Sequence, residues 1–318
     1  MQQENDVVCL TEQVYRKVLK LMGNRFELTV VCDNEQKASA HIHAAIEEIR
    51  RIERLLTTFN EESQTSLINR NAGMQPVVVD REVCELILRA AKISRITQGA
   101  FDLSYGSVDK SLWNFDQQMT ALPDPDIARE MVKLIDYRNI MVNPASNEVM
   151  LLKKGMRIGF GGIGKGYAAE CAKQLLRQRG VHSGIVNAAG DLTAWGTQPD
   201  GTPWTVGIAD PDSTHHPFSY LNISDQAIAT SGNYEKYVII KGKKYSHTID
   251  PKTGLPVTGI KSVSIISTNA EIADAMATPV MIMGIRAGLN MINQIKQIAC
   301  IIVDNQNKLF TSDNIQLQ

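Results

Sequence analysis

The stretch MRIGFGGIGKGYAAECAKQLLRQRG, Met156 to Gly180, decides how the rest of the chain is read. Gly159, four residues, Gly164 and Lys165 fit a phosphate-binding P-loop up to the next position, where that motif needs Ser or Thr to hold the Mg²⁺ bridging the phosphates. Gly166 stands there instead. Five glycines between Gly159 and Gly166, expected to follow a strand and to precede a helix over Ile163 to Gln178, free backbone N–H groups to converge and let a ligand come close. The helix N-terminus adds partial positive charge, and Lys165 can neutralise a phosphate as a point charge. A tight turn packed on a neighbour would look the same, and this motif alone leaves the two readings level.

Outward from the loop, strand and helix signals alternate irregularly. RFELTVVC (Arg25–Cys32) alternates as a strand, and a long amphipathic helix follows with Ile42, Ala45, Ile46, Ile49, Ile52 and Leu56 on one face. A second helix is bounded by Asp80 as N-cap and Gly99 as stop, with Val83, Leu86, Ile87 and Ala90 inward. From about residue 136 the texture turns to strands: DYRNIMVNPASNEVMLL, GIVNAAGDLTAWG, WTVGIAD, AIATSGN, KYVIIKGKKYSHTIDP and SVSIIST. The glycine-loop helix, one over about Ala270 to Met283 and a short one at GLNMINQI interrupt them. This spacing is too irregular for a doubly wound parallel sheet, so the fold class is α+β, mostly antiparallel sheet covered by helices. Residues 1–20 read as an N-terminal extension and 21–318 as one integrated domain, with a division into two lobes compatible with it.

The 318 residues are 43% hydrophobic and 21% charged, enough for a large core, and the formal net charge of −1 is spread along the chain. Neither nucleic acid nor an anionic membrane is an expected partner. No apolar run approaches the roughly 20 residues of a spanning helix. MQQENDVV is polar where a signal peptide would be apolar. Cys9, Cys32, Cys84, Cys171 and Cys300 are scattered without a metal-binding spacing and read as buried free thiols.

A metal, if the loop needs one, finds a candidate site in EIADAMATPV, where Asp274 and Thr278 are four apart on one helix face and alanines leave the backbone approachable. Taken bare, an Asp there caps or complements a helix dipole, and a helical Thr bonds the preceding turn. KKYSHTIDPKTGLP offers His247, in a strand before the Asp250–Gly254 turn, as a general base near neutral pH; a hydrogen-bonded structural His is the common alternative.

In order, LMGNRFELTV, LLTTFNEESQTSLINRNAG, TQGAFDLSYGSV, GGIGKGYAAE, GIVNAAGDLTAWG, AIATSGNYEKY, YSHTIDPKTGLPV and ADAMATPVMIMG resemble the motifs of the FAD:protein FMN transferase family, the ApbE-like flavin transferases, over almost the whole chain. The resemblance implies an ApbE-like fold and a Mg²⁺-dependent reaction. A Ser or Thr hydroxyl of an acceptor flavoprotein attacks the FMN phosphorus of FAD, and AMP leaves. It implies Asp274 and Thr278 as side-chain metal ligands and the Gly162 carbonyl as a main-chain one. Met22, Phe59, Ala100, Phe101, Asp102, Gly159, Lys165 and Ile249 carry over to the FAD site, and His247 is the candidate base. Gly159 replaces a usual Asp, Gly164 a usual Ala, and Ala277 stands where some members have a second Asp. The implied acceptor is a subunit of a membrane redox complex with a D-x-x-[ST]-G-A-T type motif. That places the enzyme on the periplasmic side of the membrane, with the cytoplasm as the alternative. FAD pyrophosphatase activity, giving FMN and AMP, and non-catalytic FAD binding are the competing functions.

Overall fold

The computed structural model describes residues 12–108, 119, 121–210, 213–233 and 237–315. Strands β1 (Gln13–Leu21) and β2 (Asn24–Cys32) form a hairpin about Met22 and Gly23. Asn34 then starts α1 (Glu35–Leu56) by accepting the N–H groups of Gln36 and Lys37. All six apolar positions expected on its inner face are buried. There follow α2 (Gln64–Arg70), β3 (Val77–Val78), α3 (Arg81–Ile96), α4 (Pro125–Met131), β4 (Ile140–Asn143) and β5 (Glu148–Leu151), with β3, β5 and β4 making a small antiparallel sheet. Helix α5 (Gly164–Gln178) leads into β6 (Gly184–Ala188), β7 (Asp191–Trp195), β8 (Trp204–Asp210), β9 (Ser213–Ile223) and β10 (Gln226–Gly232). Next come β11 (Tyr237–Ile240), β12 (Lys243–Ser246), β13 (Ile260–Ser267), α6 (Ala270–Met283), α7 (Ile285–Ile292), β14 (Ile298–Asp304) and β15 (Leu309–Thr311).

The main sheet has eight strands in the order β1-β2-β6-β7-β10-β13-β14-β15, every neighbouring pair antiparallel, as the α+β reading expects. On one face α1, α5 and α6 bury Phe26, Leu28, Ala168, Ala172, Val263 and Ile265 in the principal core. The opposite face is covered at Val31, Leu192, Ala194 and Ile228 by Trp204, Val206 and Ile223 of the β8–β9 hairpin. Burying both faces explains why every residue of β7 is buried, polar Asp191 and Thr193 included, instead of alternating with exposed positions.

The two central helices meet at Gly166. A Cβ there would lie 2.2 Å from the Ala270 carbonyl oxygen and 2.6 Å from Asp274 Cβ, so only glycine admits this approach. The contact is fastened in both directions. Asp274 Oδ2 on α6 accepts the Gly166 N–H at 2.9 Å, and Glu170 Oε2 on α5 accepts the Ala270 N–H at 3.0 Å. Each carboxylate thus satisfies an orphan donor in the first turn of the other helix.

Several expectations change. Residues 13–20, read as an extension, belong to edge strand β1. The segment before the glycine loop is not a strand. Asn69 brackets Ile158, donating to its carbonyl at 3.0 Å and accepting its N–H at 2.7 Å, while Gly159 donates to the Leu103 carbonyl at 2.9 Å. Asp80 occupies the N-cap position of α3 without a capping bond from its side chain. Strands β9, β14 and β15 and helices α2 and α4 had no counterpart in the sequence reading. Cys84 and Cys300 are buried free thiols, Cys32 and Cys171 are half-buried, and Cys9 lies outside the described residues. No helix among the described residues is long and apolar enough to cross a membrane.

Two outcomes test this frame. Gly166→Ala should force α5 and α6 apart, costing about 3 kcal/mol and lowering the Tm by roughly 5 °C in a thermal melt; an unchanged Tm would show that the crossing is not tight. Ala189 and Gly190 form the two-residue β6–β7 turn with φ of 56° and 101°. Asn-Gly suits such a turn better, so Ala189→Asn should gain about 0.5 kcal/mol or more, and a loss would mean that the turn is held by something besides its own dihedrals.

Candidate active site

The turn between Phe160 and α5 carries no side chain at Gly161, where a Cβ would meet nothing within 4 Å, or at Gly162, where it would meet only the Phe101 ring edge at 3.6 Å. None of the loop glycines between Gly159 and Gly166 has positive φ. Open space at Gly161 and Gly162, rather than turn conformation, is what their missing side chains provide; Gly166 instead serves the helix crossing. The two readings of the motif therefore hold at different residues of one loop.

Behind the loop lies a largely buried polar cluster built from four elements, α5, β7, β10 and α6. Lys165, on the first turn of α5, forms an ion pair with Asp191, the first residue of β7. The β6–β7 turn aims Asp191 inward, and the Thr230 N–H of β10 donates to the same carboxylate. Asp274 stands against the neighbouring Gly166 N–H, and Thr278, one turn further along α6, shares a 3.0 Å hydrogen bond with Ser231 of β10. Burial pushes the Asp274 carboxyl up to about 7; the Asp191 charge acts the same way and the Lys165 ammonium opposes both. Burial raises Asp191 too, with Lys165 and the Thr230 N–H pulling it back.

The donor set suits a hard divalent cation. Among the described residues it offers carboxylate and hydroxyl oxygens with no sulfur or imidazole, and two buried carboxylates stand beside the Lys165 ammonium. Asp274 is the fifth residue of α6 and so does not cap its own helix. The Thr278 hydroxyl turns to Ser231 instead of back along the helix. A second cluster, Glu48, Glu82 and Cys171, places possible ligand atoms within 4.8 Å of one another. There the ligand atoms are already engaged within the protein: Arg51 donates to both carboxylates and the Tyr167 hydroxyl donates to Glu82.

The other residues named from sequence fall into groups. Met22 and Phe101 flank the loop, at Gly164 and Gly162. Ala100 is buried beside Phe101, and the Phe59 ring, 98% exposed, stands three residues past Leu56, which itself reaches Gly164. Gly159 has room beside it, the nearest atom to a Cβ being Gly106 Cα at 4.0 Å. Asp102 is engaged within the protein: Oδ1 accepts from the Ser104 N–H and hydroxyl, and Oδ2 from the Tyr137 N–H at 2.7 Å. Its carboxylate caps a short 3₁₀ turn over Leu103–Ser107. Ile249 is buried among Val108, Met131 and Val132, its N–H donating to the Tyr105 hydroxyl. His247 lies one residue beyond β12, half-buried, ahead of the Asp250–Gly254 turn closed by the Gly254 N–H on the Asp250 carbonyl at 2.9 Å.

Sequence reasoning missed Asp191, Thr230 and Ser231 as pocket residues. The signal for Asp191 was the Gly-Asp step after NAA, which reads on its own as turn chemistry.

The model of the ApbE family matches residues 22–302. Similar proteins include the FAD:protein FMN transferase of Treponema pallidum, 30% identical over 299 residues that cover 88% of this chain and 82% of that one. A protein of the same name from Klebsiella pneumoniae is 30% identical over 96% of this chain and 94% of its own. Among solved structures, the ApbE protein of Thermotoga maritima superimposes with a TM-score of 0.84 at 30% identity, covering 95% of this chain and 97% of that one. The apo flavinyl transferase ApbE of Pseudomonas stutzeri, at 22% identity, shares the fold with a TM-score of 0.83 over 95% of both chains. On sequence and architecture together, the chain belongs to the ApbE family.

Proposed function

We propose that this chain transfers FMN from FAD to a Ser or Thr hydroxyl of an acceptor flavoprotein and releases AMP. The observation that carries the reading is the cluster of buried Asp274 and Asp191 carboxylates, the Thr278 hydroxyl and the Lys165 ammonium behind an open glycine turn. Relatives 30% identical over most of their length carry the name of that activity.

In this reading the FAD diphosphate lies against the Gly161–Gly162 backbone and the start of α5, where the helix dipole favours negative charge and Lys165, tied to Asp191, stands beside it. Phe59 offers an exposed aromatic surface, and Met22 and Phe101 supply apolar contact at the loop. Asp274 and Thr278, with the Gly162 carbonyl, would hold Mg²⁺, which neutralises charge on the diphosphate. The acceptor oxygen bonds to the phosphorus of the FMN half, the bond from that phosphorus to the AMP oxygen breaks, and AMP departs with the electron pair. His247 takes the hydroxyl proton. The acceptor carries a D-x-x-[ST]-G-A-T type motif.

Intact mass spectrometry of an acceptor domain bearing that motif, incubated with this protein, FAD and Mg²⁺, should show a gain of one FMN. The gain should vanish with EDTA or when the acceptor hydroxyl residue is Ala. AMP without a mass gain would instead identify a pyrophosphatase, and no AMP at all would leave a flavin binder. Asp274→Asn keeps the size and removes the charge, so it should abolish Mg²⁺-dependent turnover in a folded protein; full activity would remove Asp274 from the metal site. His247→Ala should slow transfer by about 10² or more while sparing FAD binding. Transfer at the parental rate would place the base elsewhere.

A further inference from the structure

The proposed reaction leaves one charged group of the pocket without a role. Asp191 is 4% exposed, paired with the Lys165 ammonium and bonded by the Thr230 N–H. Lys165 directly precedes Gly166, whose N–H lies 2.9 Å from Asp274 Oδ2, so the two carboxylates face the same first turn of α5. Counted as ionised, Asp191, Asp274 and Lys165 sum to one negative formal charge. Stability is a weak reason for such an arrangement, because a buried ion pair replaced by well-packed apolar residues is often neutral or better. Without Asp191, the formal charges of Lys165 and Asp274 would cancel, and these two groups would not oppose a diphosphate. With Asp191 present, an anionic diphosphate meets net negative charge at close range.

We propose that Asp191 is a positioning residue that ties nucleotide binding to cation binding: it fixes the Lys165 ammonium behind the glycine loop and, beside Asp274, keeps the pocket negative until a divalent cation enters. The assignment rests on the FAD-transfer reading. It makes the ratio of FAD dissociation constants, in EDTA against excess Mg²⁺, follow the formal charge of the pocket.

That ratio can be read by quenching of FAD fluorescence, together with thermal melts, on the full chain and four variants. Asp191→Asn removes one negative charge, and the ratio should fall about tenfold or more. Lys165→Gln adds one net negative charge, and the ratio should rise. The double variant restores the parental sum and should return the ratio toward the parental one. Asp191→Glu keeps the charge and should keep the ratio while slowing turnover, because the longer arm displaces the ammonium. A purely structural Asp191 would weaken FAD binding equally in both buffers and lower the Tm; an unchanged ratio in Asp191→Asn therefore overturns the proposal. Should Asp191→Asn not fold, the double variant and Asp191→Glu decide, and a tenfold departure of either from the parental ratio overturns it. A parental protein that binds FAD with a ratio near one sinks the coupling alone, whereas one that binds no FAD in either buffer sinks the transfer reading with it.

Discussion

The molecule depends on the approach of α5 to α6 at Gly166. No side chain larger than hydrogen fits between that Cα and the Ala270 carbonyl, and the reciprocal bonds from Asp274 and Glu170 convert the close approach into a fixed one. Everything around the pocket takes its position from this crossing. The glycine turn is held at the start of α5, Lys165 is carried to the mouth of β7, and the Asp274–Thr278 face of α6 lies over β10.

The same groups serve architecture and proposed chemistry. Asp274 satisfies an orphan N–H of α5, so its orientation is set by the fold before any ligand arrives, which is what a preorganised ligand or electrostatic group requires. Asp102 shows the opposite outcome. Its carboxylate is held by three donors of its own chain, leaving main-chain groups and neighbouring rings as the surface this segment can offer a substrate.

Periodic features were legible in the sequence. The inner face of α1, the span of α5 and the β4–β5 and β6–β7 hairpins follow from apolar spacing and turn residues. Long-range pairings were not. Residues 157–159 read as the end of a strand before the glycine loop, yet their partners are the side chains of Asn69 and Ser107 and the Leu103 carbonyl, so no ladder forms. β14 is a short apolar run, IACIIVD, with no alternation, because both its faces are covered. Asp191 was hidden for a related reason: a lone Asp after Gly is ordinary hairpin chemistry, and its meaning arises only when Lys165 is brought to it across the helix–sheet interface. Asp274 and Thr278 were visible because a helix puts residues four apart on one face.

The antiparallel order of the main sheet also bears on how the chain reaches its working state. The pocket draws on α5, β7, β10 and α6, groups lying between Lys165 and Thr278, and β10 and β13 can pair only after the loops between them are closed. Such non-local pairings come at the cost of loop-closure entropy and form slowly. A nascent or partly unfolded chain with α1 and the β1–β2 hairpin in place therefore has helical and sheet content but no site for a nucleotide. Ligand binding thus reports on the assembled helix–sheet interface and not on secondary-structure content alone.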